Sequence, residues 1–479
     1  MAQTFPFIIS GRRWTAPPVS PRYLALNGGA PVDLPRLTPE MVEQCLAQDR
    51  FLLRDVPLQE IIAFLHNAGK NWKSKESSRR RIYVRDLVRY LGYSPKMAEH
   101  EADWIAMLLC SHYRICDALD AELGNRHLLD RWIPVEEVEL RAFPKGRSLH
   151  ILPGNVPVAG VISVLRALVT KNICIVKASS RDPITPMALA LSFLDVDSKH
   201  PVAKAMSVVH WAGNEDSPEI RRIYSASDVI CAWGGADSMH GVSQVAGESA
   251  ELIKFGPRRS LAIIGRGVNI RDTARHIAHD VCMYDQRGCF SVQRIFVDSQ
   301  IASALMHELE QAFKLYESLF PKGNPDFDEC AAWSLARLEA LYAASAVRDG
   351  SSQEWLLIAG SPSVDAHPLG RTLYVQTFES ITEITPHIDH TIQTVAVAPA
   401  PLGLELRDVL GAAGACRIVD CGLANVFRLG GTHDGMYPMQ RLVRMVSHEA
   451  SRTVHIKGIP MRIDQTRFLE EEMFQELIP

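Results

Sequence analysis

The chain has 479 residues, of which 47% are hydrophobic and 22% charged. That length predicts about three domain-sized units, and that composition excludes both a small module and a largely disordered chain. Lys and Arg number 51 against 55 Asp and Glu, a net charge of −4, so nothing drives the chain as a whole toward nucleic acid or anionic lipid.

The longest strongly apolar run, Val156 to Val169, is interrupted by Arg166 and is too short for a membrane span. The opening residues lack the pattern of a secretory signal. Ten cysteines are scattered singly with no CxxC pair. A disulfide framework and a Cys-rich zinc site are therefore not expected, and a reducing cytoplasm is.

In chain order, residues 1–140 begin with a short β start at Ile8–Gly11 and a proline-rich stretch at Pro17–Pro21. Helical patterns follow at Pro39–Ala47, Leu58–Trp72, Ser77–Leu91, Pro95–Leu109 and Tyr113–Glu122. From Arg147 short apolar runs alternate with helical segments. Strands are predicted at Ser148–Leu152, Ile173–Lys177, Met206–His210, Val229–Trp233 and Leu252–Phe255. The helices between them are predicted at Val161–Thr170, Thr185–Leu194, Pro218–Ser225 and Asp237–Ala246. Runs apolar on both faces imply a parallel sheet covered by helices, with ligands at the carboxyl ends of its strands. A second α/β pattern begins near Ser260 and runs to about Leu429. Its strands are predicted at Leu261–Ile264, Arg294–Val297, Trp355–Ile358, Thr372–Thr377, Thr394–Ala398 and Arg417–Asp420. The tail reads as a helix at Pro438–Ser447, a strand at Thr453–Lys457 and an acidic helical end.

Four features carry chemistry. Ala274, Ile277, Ala278, Val281 and Cys282 recur at helical spacing, so Cys282 reads as core. Gly288 stops that helix, and Cys289 follows on the loop before the next strand. It is either an exposed nucleophile, with Arg287 near enough to lower its pKa, or one more buried cysteine. Asn155, between Gly154 and Pro157 at the end of a strand, is either a fixed amide donor for an oxyanion or a turn residue. Lys177, Ser179 and Arg181 follow the next strand and suit a ribose and phosphate grip. Gly234 and Gly235 open a helix after Trp233 and let a pyrophosphate approach its N-terminus, although no GxGxxG fingerprint occurs.

In this order the four pieces resemble the aldehyde dehydrogenase superfamily. Its Pro-x-Asn-x-Pro, Lys-Pro-Ser, Phe-x-Gly-Ser and Gly-Gln-x-Cys elements are matched by Gly154-Asn155-Val156-Pro157, Lys177-Ala178-Ser179, Trp233-Gly234-Gly235 and Asp285 to Cys289. A nearer resemblance spans almost the whole chain. Arg79-Arg80-Arg81 with Tyr83, Ala142 to Gly146, Lys254 to Pro257, His279 to Cys282, Pro368 to Arg371, His433 to Met436 and Gln465 to Glu471 are similar to the acyl-CoA reductases of bacterial luminescence operons, the LuxC family.

That resemblance implies an aldehyde-dehydrogenase-like α/β fold. Residues 1–140 would form a mostly helical region packed on a Rossmann-type cofactor domain at 141–258. A catalytic α/β domain would occupy 259–431, and residues 432–479 would return to the cofactor domain or form an oligomer interface. It implies Cys289 as the acyl-accepting nucleophile and Asn155 as an oxyanion donor. NADPH would be held by Lys177, Ser179, Arg181, Gly234 and Gly235, and no metal is expected. The acyl source would be a fatty acyl-CoA or an acyl-protein from a synthetase partner, and a homo-oligomer is expected.

Hydrolytic aldehyde dehydrogenases carry a Glu where this chain has Lys254-Phe255-Gly256-Pro257. A site without that carboxylate favours thioester reduction over acid formation. Two rivals are an aldehyde dehydrogenase running oxidation and a non-catalytic acyl-partner scaffold. Among other signals, Arg79, Arg80, Arg81, Arg85 and Arg89 read as the solvated basic face of a helix. His276 and His279 have no further residues to complete a metal site. His433-Asp434 reads as a structural turn or as a group acting near the cleft.

Overall fold

The computed structural model describes residues 3–15, 22–24, 32–135, 138–247, 250–343, 345–360, 367–426, 428–449, 453–456 and 459–462. Two seven-stranded sheets organise it. The first runs in the spatial order Glu251–Phe255, Val229–Trp233, Arg147–Ile151, Ile173–Lys177, Met206–Val209, Phe7–Ile9 and Arg12–Trp14. Its first five strands are parallel, and the two N-terminal strands join antiparallel. Every residue of Arg147–Ile151, Ile173–Lys177, Met206–Val209 and Val229–Trp233 is buried. That double-sided burial is why Ile173–Lys177, Met206–Val209 and Val229–Trp233 read as largely apolar runs, while Arg147–Ile151 buries Ser148 and His150 by bonding them to each other and His150 to Ser163.

The chain order of the first sheet reverses at the Arg147–Ile151 strand. Its neighbours Ile173–Lys177 and Met206–Val209 lie on one side, and Val229–Trp233 and Glu251–Phe255 on the other. The loops leaving Ile151 and Trp233 therefore diverge and open a crevice at the carboxyl edge, the usual ligand position in such sheets. The register Ile151↔Lys177, Ala232↔Ile151 and Trp233↔Phe255 brings these loop starts to one level.

Helices Pro39–Leu46, Leu58–Lys73, Ser78–Leu91, Pro95–Cys110 and His112–Leu123 pack before this sheet, each within a few residues of its predicted span. Capping sets the ends: Thr38 and Ser94 accept from the first turns they precede, and Gly92 closes its helix at φ 70°. The basic run corrects its reading at two positions: Arg79 is largely covered and forms a two-pronged ion pair with Asp195, and Arg80 is buried. Arg81, Arg85 and Arg89 are exposed, but Arg80 is 1% exposed, pairs with Glu99 and Asp103, and donates to the Trp72 carbonyl at 2.9 Å. It ties two helices together through carboxylates that no local pattern reveals.

The second sheet runs Ala346–Asp349, Leu356–Ala359, Thr372–Phe378, Val292–Asp298, Arg259–Ile264, Ile392–Ala398 and Ile418–Asp420, parallel except for the first pair. Helices Ile270–Cys282 and Ala302–Leu319 bury Ile277, Val281, Cys282, Leu309 and Phe313 on one face. Leu406 and Leu410 of helix Ala400–Ala413 pack with Ile263 and Phe296 on the other.

The tail departs from its predicted helix. Gln440–Leu442 forms one short turn, and Val443–Glu449 is a strand paired antiparallel with Val138–Pro144, which also pairs with Ile133–Val135. The backbone is drawn out of helix by distant donors: Lys145 N–H and the Asn172 side-chain amide both donate to the Leu442 carbonyl, at 3.2 and 2.9 Å. Thr453–Ile456 is a strand as expected, paired with Ile459–Arg462. The acidic end and Pro17–Pro21 lie outside the described residues.

Candidate active site

Loops from the carboxyl edge of the first sheet meet loops from the amino edge of the second around a cavity of about 470 Å³. Asn155, Arg181, Gly234 and Gly235 line it from the first sheet, and Cys289, Gln293 and Leu369 from the second. The crossing segment before the tail strand adds Asn425, His433 and Asp434.

The loop bearing Cys289 is held in an unusual conformation. After helix Ile270–Cys282, Tyr284, Asp285 and Gln286 all take left-handed backbone angles, φ 55°, 50° and 65°. Non-glycine residues there carry a cost of about 1–2 kcal/mol each. Two buried side chains hold the turn. Asp285 Oδ1 accepts from Arg371 Nε and Nη2 at 3.0 and 2.7 Å, and its Oδ2 accepts from Gly323 N–H at 3.1 Å. Gln286 donates to the Val292 and Thr372 carbonyls at 2.7 and 2.5 Å and accepts from Thr372 N–H at 2.9 Å. Leu369, Gly370 and Arg371 are left-handed as well, so one ion pair clasps two such segments. Ser260 Oγ donates to the Cys289 carbonyl at 2.7 Å and fixes the far side of the loop.

Cys282 is fully buried in the helix core, whereas Cys289 is half-buried and opens on the cavity. Burial, and then the charge of Asp434, push the Cys289 thiol up to about 12. Arg287 does not lower it as expected. Its guanidinium forms a two-pronged ion pair with Glu329, both contacts 2.9 Å. The Cys289 thiol is therefore neutral at rest, and chemistry at its sulfur would need a base.

Asn155 sits beside this loop. Its side-chain amide donates to the Arg287 carbonyl at 2.7 Å, which leaves one further N–H on the same nitrogen. Tyr93 OH donates to the Asn155 carbonyl at 3.3 Å. Gly154 admits the neighbouring loop closely: a Cβ there would collide with Ser179 Oγ and lie 2.6 Å from Arg181 Cβ.

On the cofactor side the candidates separate. Gly234, Gly235 and Arg181 line the cavity, while Lys177 and Ser179 do not. Lys177 is buried at the end of its strand, and Ser179 Oγ accepts from Arg181 N–H at 3.2 Å. The residues present fit a dinucleotide on two observations. A Cβ added to Gly235 would meet nothing within 4 Å, so the backbone before helix Ala236–Val245 is open to a phosphate. The exposed Arg181 stands on the neighbouring loop of the same cavity.

Lys254 is exposed and does not line the cavity, although Phe255, Gly256 and Pro257 do. The expectation of a site without a carboxylate is corrected by Asp434, whose side chain is 2% exposed and pairs with Arg258 at 3.6 Å. His433 packs edge-on against Trp233 and Phe255, each at 5.0 Å, and those two rings stack at 3.9 Å. Sequence reasoning passed over Tyr93, Trp104, Ser260 and Asn425, since isolated residues of these types carry no pattern.

Comparison with known proteins matches this chain to the acyl-CoA reductase (LuxC) family over residues 53–445. The chain belongs to that family. It is 42% identical over 482 residues to the long-chain acyl-protein thioester reductase of Photobacterium phosphoreum, covering 100% of this chain and 98% of that one. The fold is that of aldehyde dehydrogenases. The NADP-dependent glyceraldehyde-3-phosphate dehydrogenase of Bacillus halodurans C-125, solved with NADP, superposes at a TM-score of 0.73 and 14% identity, covering 93% of this chain and 98% of that one. The lactaldehyde dehydrogenase of Escherichia coli superposes at 0.72 and 13%, covering 94% and 100%. The chain is thus an oxidoreductase, an aldehyde-forming acyl reductase on an aldehyde dehydrogenase framework. Among the described residues no helix is long and apolar enough to cross a membrane.

Proposed function

We propose that the chain reduces a long-chain acyl thioester to the aldehyde with NADPH, through an acyl group carried on Cys289. The observation that supports this reading is the placement of Cys289, Asn155 and the Gly234-Gly235 turn around one cavity. Trp104, Val158, Ile162, Tyr284, Phe290 and Leu369 give that cavity apolar walls suited to an acyl chain.

Cys289 Sγ attacks the thioester carbonyl. The Asn155 amide and the Cys289 backbone N–H receive the oxyanion, and each such donor is worth about 10²–10³ in rate. Collapse expels the donor thiol and leaves acyl-Cys289. Gly234, Gly235 and Arg181, with Lys177 and Ser179 behind them, would hold NADPH, which when bound would supply hydride to the acyl carbon. The hemithioacetal on Cys289 then breaks its C–S bond, releasing aldehyde. Arg181 supports NADPH over NADH, because a guanidinium pairs well with a phosphate ester.

The donor proposed is an acyl-protein delivered by a synthetase, with fatty acyl-CoA as its soluble equivalent, in keeping with the name of the Photobacterium relative. All ten cysteines are free, which supports a reducing cytoplasm. Exposed Leu335, Leu338 and Leu341 on helix Phe327–Tyr342 support association with a second copy.

Purified protein given acyl-CoA and NADPH should consume one NADPH per aldehyde released. Free fatty acid in place of aldehyde would overturn the reading in favour of an acid-forming enzyme. No turnover with either acyl-CoA or acylated protein would favour the scaffold.

A further inference from the structure

Acyl transfer to Cys289 has an unmet requirement, because its thiol is neutral at rest and Arg287 is committed to Glu329. Three groups compare as proton acceptors, of which His433 and Asp434 line the cavity. Lys254, at the position of the hydrolytic Glu, is exposed and outside it. His433 lines it, but its ring is enclosed by Trp233 and Phe255. Burial, then Arg166, Arg417 and Arg258, hold that imidazole well below its ordinary pKa, so it is a weak base.

Asp434 differs. Asp434 is a residue of the cavity wall, with a side chain only 2% exposed. Oδ2 is the oxygen facing Arg258, at 3.6 Å. Oδ1 is sealed from bulk water and has no hydrogen-bond partner among the described residues. The turn that presents it is fixed: Asp434 is left-handed at φ 50°, Gly435 follows at 79°, and His433 and Met436 exchange backbone hydrogen bonds of 2.9 and 3.0 Å. A strained, closed turn that holds an unpartnered, buried carboxylate oxygen within a residue of the cavity wall has more cost than a structural turn requires. Asp434 is also the charged side chain that acts most strongly on the Cys289 thiol.

We propose that Asp434 is the general base that takes the Cys289 proton during acyl transfer, and the acid that returns it to the departing thiol. The proposal rests on the thioester-reductase reading above. As the Cys289 S–C bond forms, the S–H bond breaks and its proton moves to Asp434 Oδ1, so a free thiolate is never required. When the tetrahedral adduct collapses, the donor C–S bond breaks and the Asp434 proton goes to the leaving sulfur. Asp434 ends as a carboxylate, and no oxidant or reductant enters this half of the reaction.

The charged and titratable groups facing Asp434 are Arg258, Arg166 of helix Pro157–Val169, Cys289 and its own neighbour His433, with Arg417 beyond Cys289. Burial raises the Asp434 carboxyl to about 6, against the pull of Arg258 and Arg166. The base is thus in its working form at neutral pH and lost below about 6.

The test is rapid-quench acylation by decanoyl-CoA without NADPH, read by intact mass from pH 5 to 9. Wild-type acylation should rise through the Asp434 titration and level off above it. Asp434→Asn should acylate about 10²–10⁴-fold more slowly at pH 7 and lose that plateau. Asp434→Glu should restore part of the rate, and His433→Gln should keep the wild-type profile shape. Arg258→Gln, which leaves the carboxylate in place, should move the rising limb to higher pH. Wild-type acylation rates in Asp434→Asn, a limb lost with His433→Gln instead, or a limb unmoved in Arg258→Gln would each overturn the proposal while leaving the reductase reading intact. A wild-type chain that never gains the acyl mass would overturn the reading itself, and this proposal with it.

Discussion

At the scale of single residues, the neighbouring cysteines Cys282 and Cys289 separate cleanly, one fully buried and one opening on the cavity. Cys282 contributes packing alone, so Cys282→Ala should retain acylation and turnover and lose stability by a cavity cost of about 1–3 kcal/mol. Cys289→Ala should lose both reactions and keep its fold, as judged by an unchanged urea midpoint. The helical stripe made Cys282 legible as core, but the helix ends at Cys282 and not at Gly288, because Tyr284, Asp285 and Gln286 turn left-handed first. Arg181 makes a second residue-scale test. A charge-assisted bond to a phosphate is worth about 1.5–3 kcal/mol, so Arg181→Ala should lower kcat/KM for NADPH by ten- to a hundredfold and leave NADH unchanged. Equal losses for the two cofactors would remove Arg181 from the 2′-phosphate.

At the scale of elements, the Cys289 loop depends on a clasp that joins two left-handed segments. The Asp285–Arg371 pair is almost fully buried, with side chains 7% and 1% exposed. Removing one member leaves the other charged and unpaired, at a cost of about 3–5 kcal/mol. Arg371→Ala should therefore lower the urea midpoint and slow acylation together. A destabilised variant that still acylates at the wild-type rate would show that the loop keeps its shape without the clasp. This clasp was invisible to sequence reasoning, because Asp285 and Arg371 are separated by 86 residues and neither belongs to a periodic pattern. The strands were legible for the opposite reason: burial on both faces leaves continuous apolar runs that no long-range contact needs to explain. The tail strand Val443–Glu449 failed as a prediction because most of it is exposed and its extended form is set by Asn172, 270 residues away.

At the scale of the whole molecule, the helical region, the first sheet and the tail meet behind the cavity, and buried acids mark the junction. Glu101 is fully buried, its carboxyl beside the Val158 N–H at the start of helix Pro157–Val169. Burial raises it to about 8 from an ordinary 4.5. A raised acid keeps its proton in the folded chain while the unfolded chain releases it. Folding stability therefore falls as pH rises from about 4.5 to about 8, by on the order of a few kcal/mol. Glu101→Gln should remove that loss, gaining urea midpoint over wild type at pH 8 and little at pH 5. A gain of equal size at both values would mean that the carboxyl is not buried in its neutral form. The same long-range assembly explains why the sequence left His433-Asp434 open between a structural turn and a group acting near the cleft. The place of Asp434 on the cavity that Cys289 also lines depends on the path by which the crossing segment returns between Trp233, Phe255 and Arg258.

The most direct test of the account is the mass of the intact protein, followed in time after mixing with a long-chain acyl-CoA and then with NADPH. The account predicts a gain of one acyl group on the wild-type chain, mapped to the peptide containing Cys289 and absent in Cys289→Ala, and its loss on adding NADPH with stoichiometric aldehyde. An acyl group mapped to another residue, or one that NADPH does not discharge as aldehyde, would contradict it.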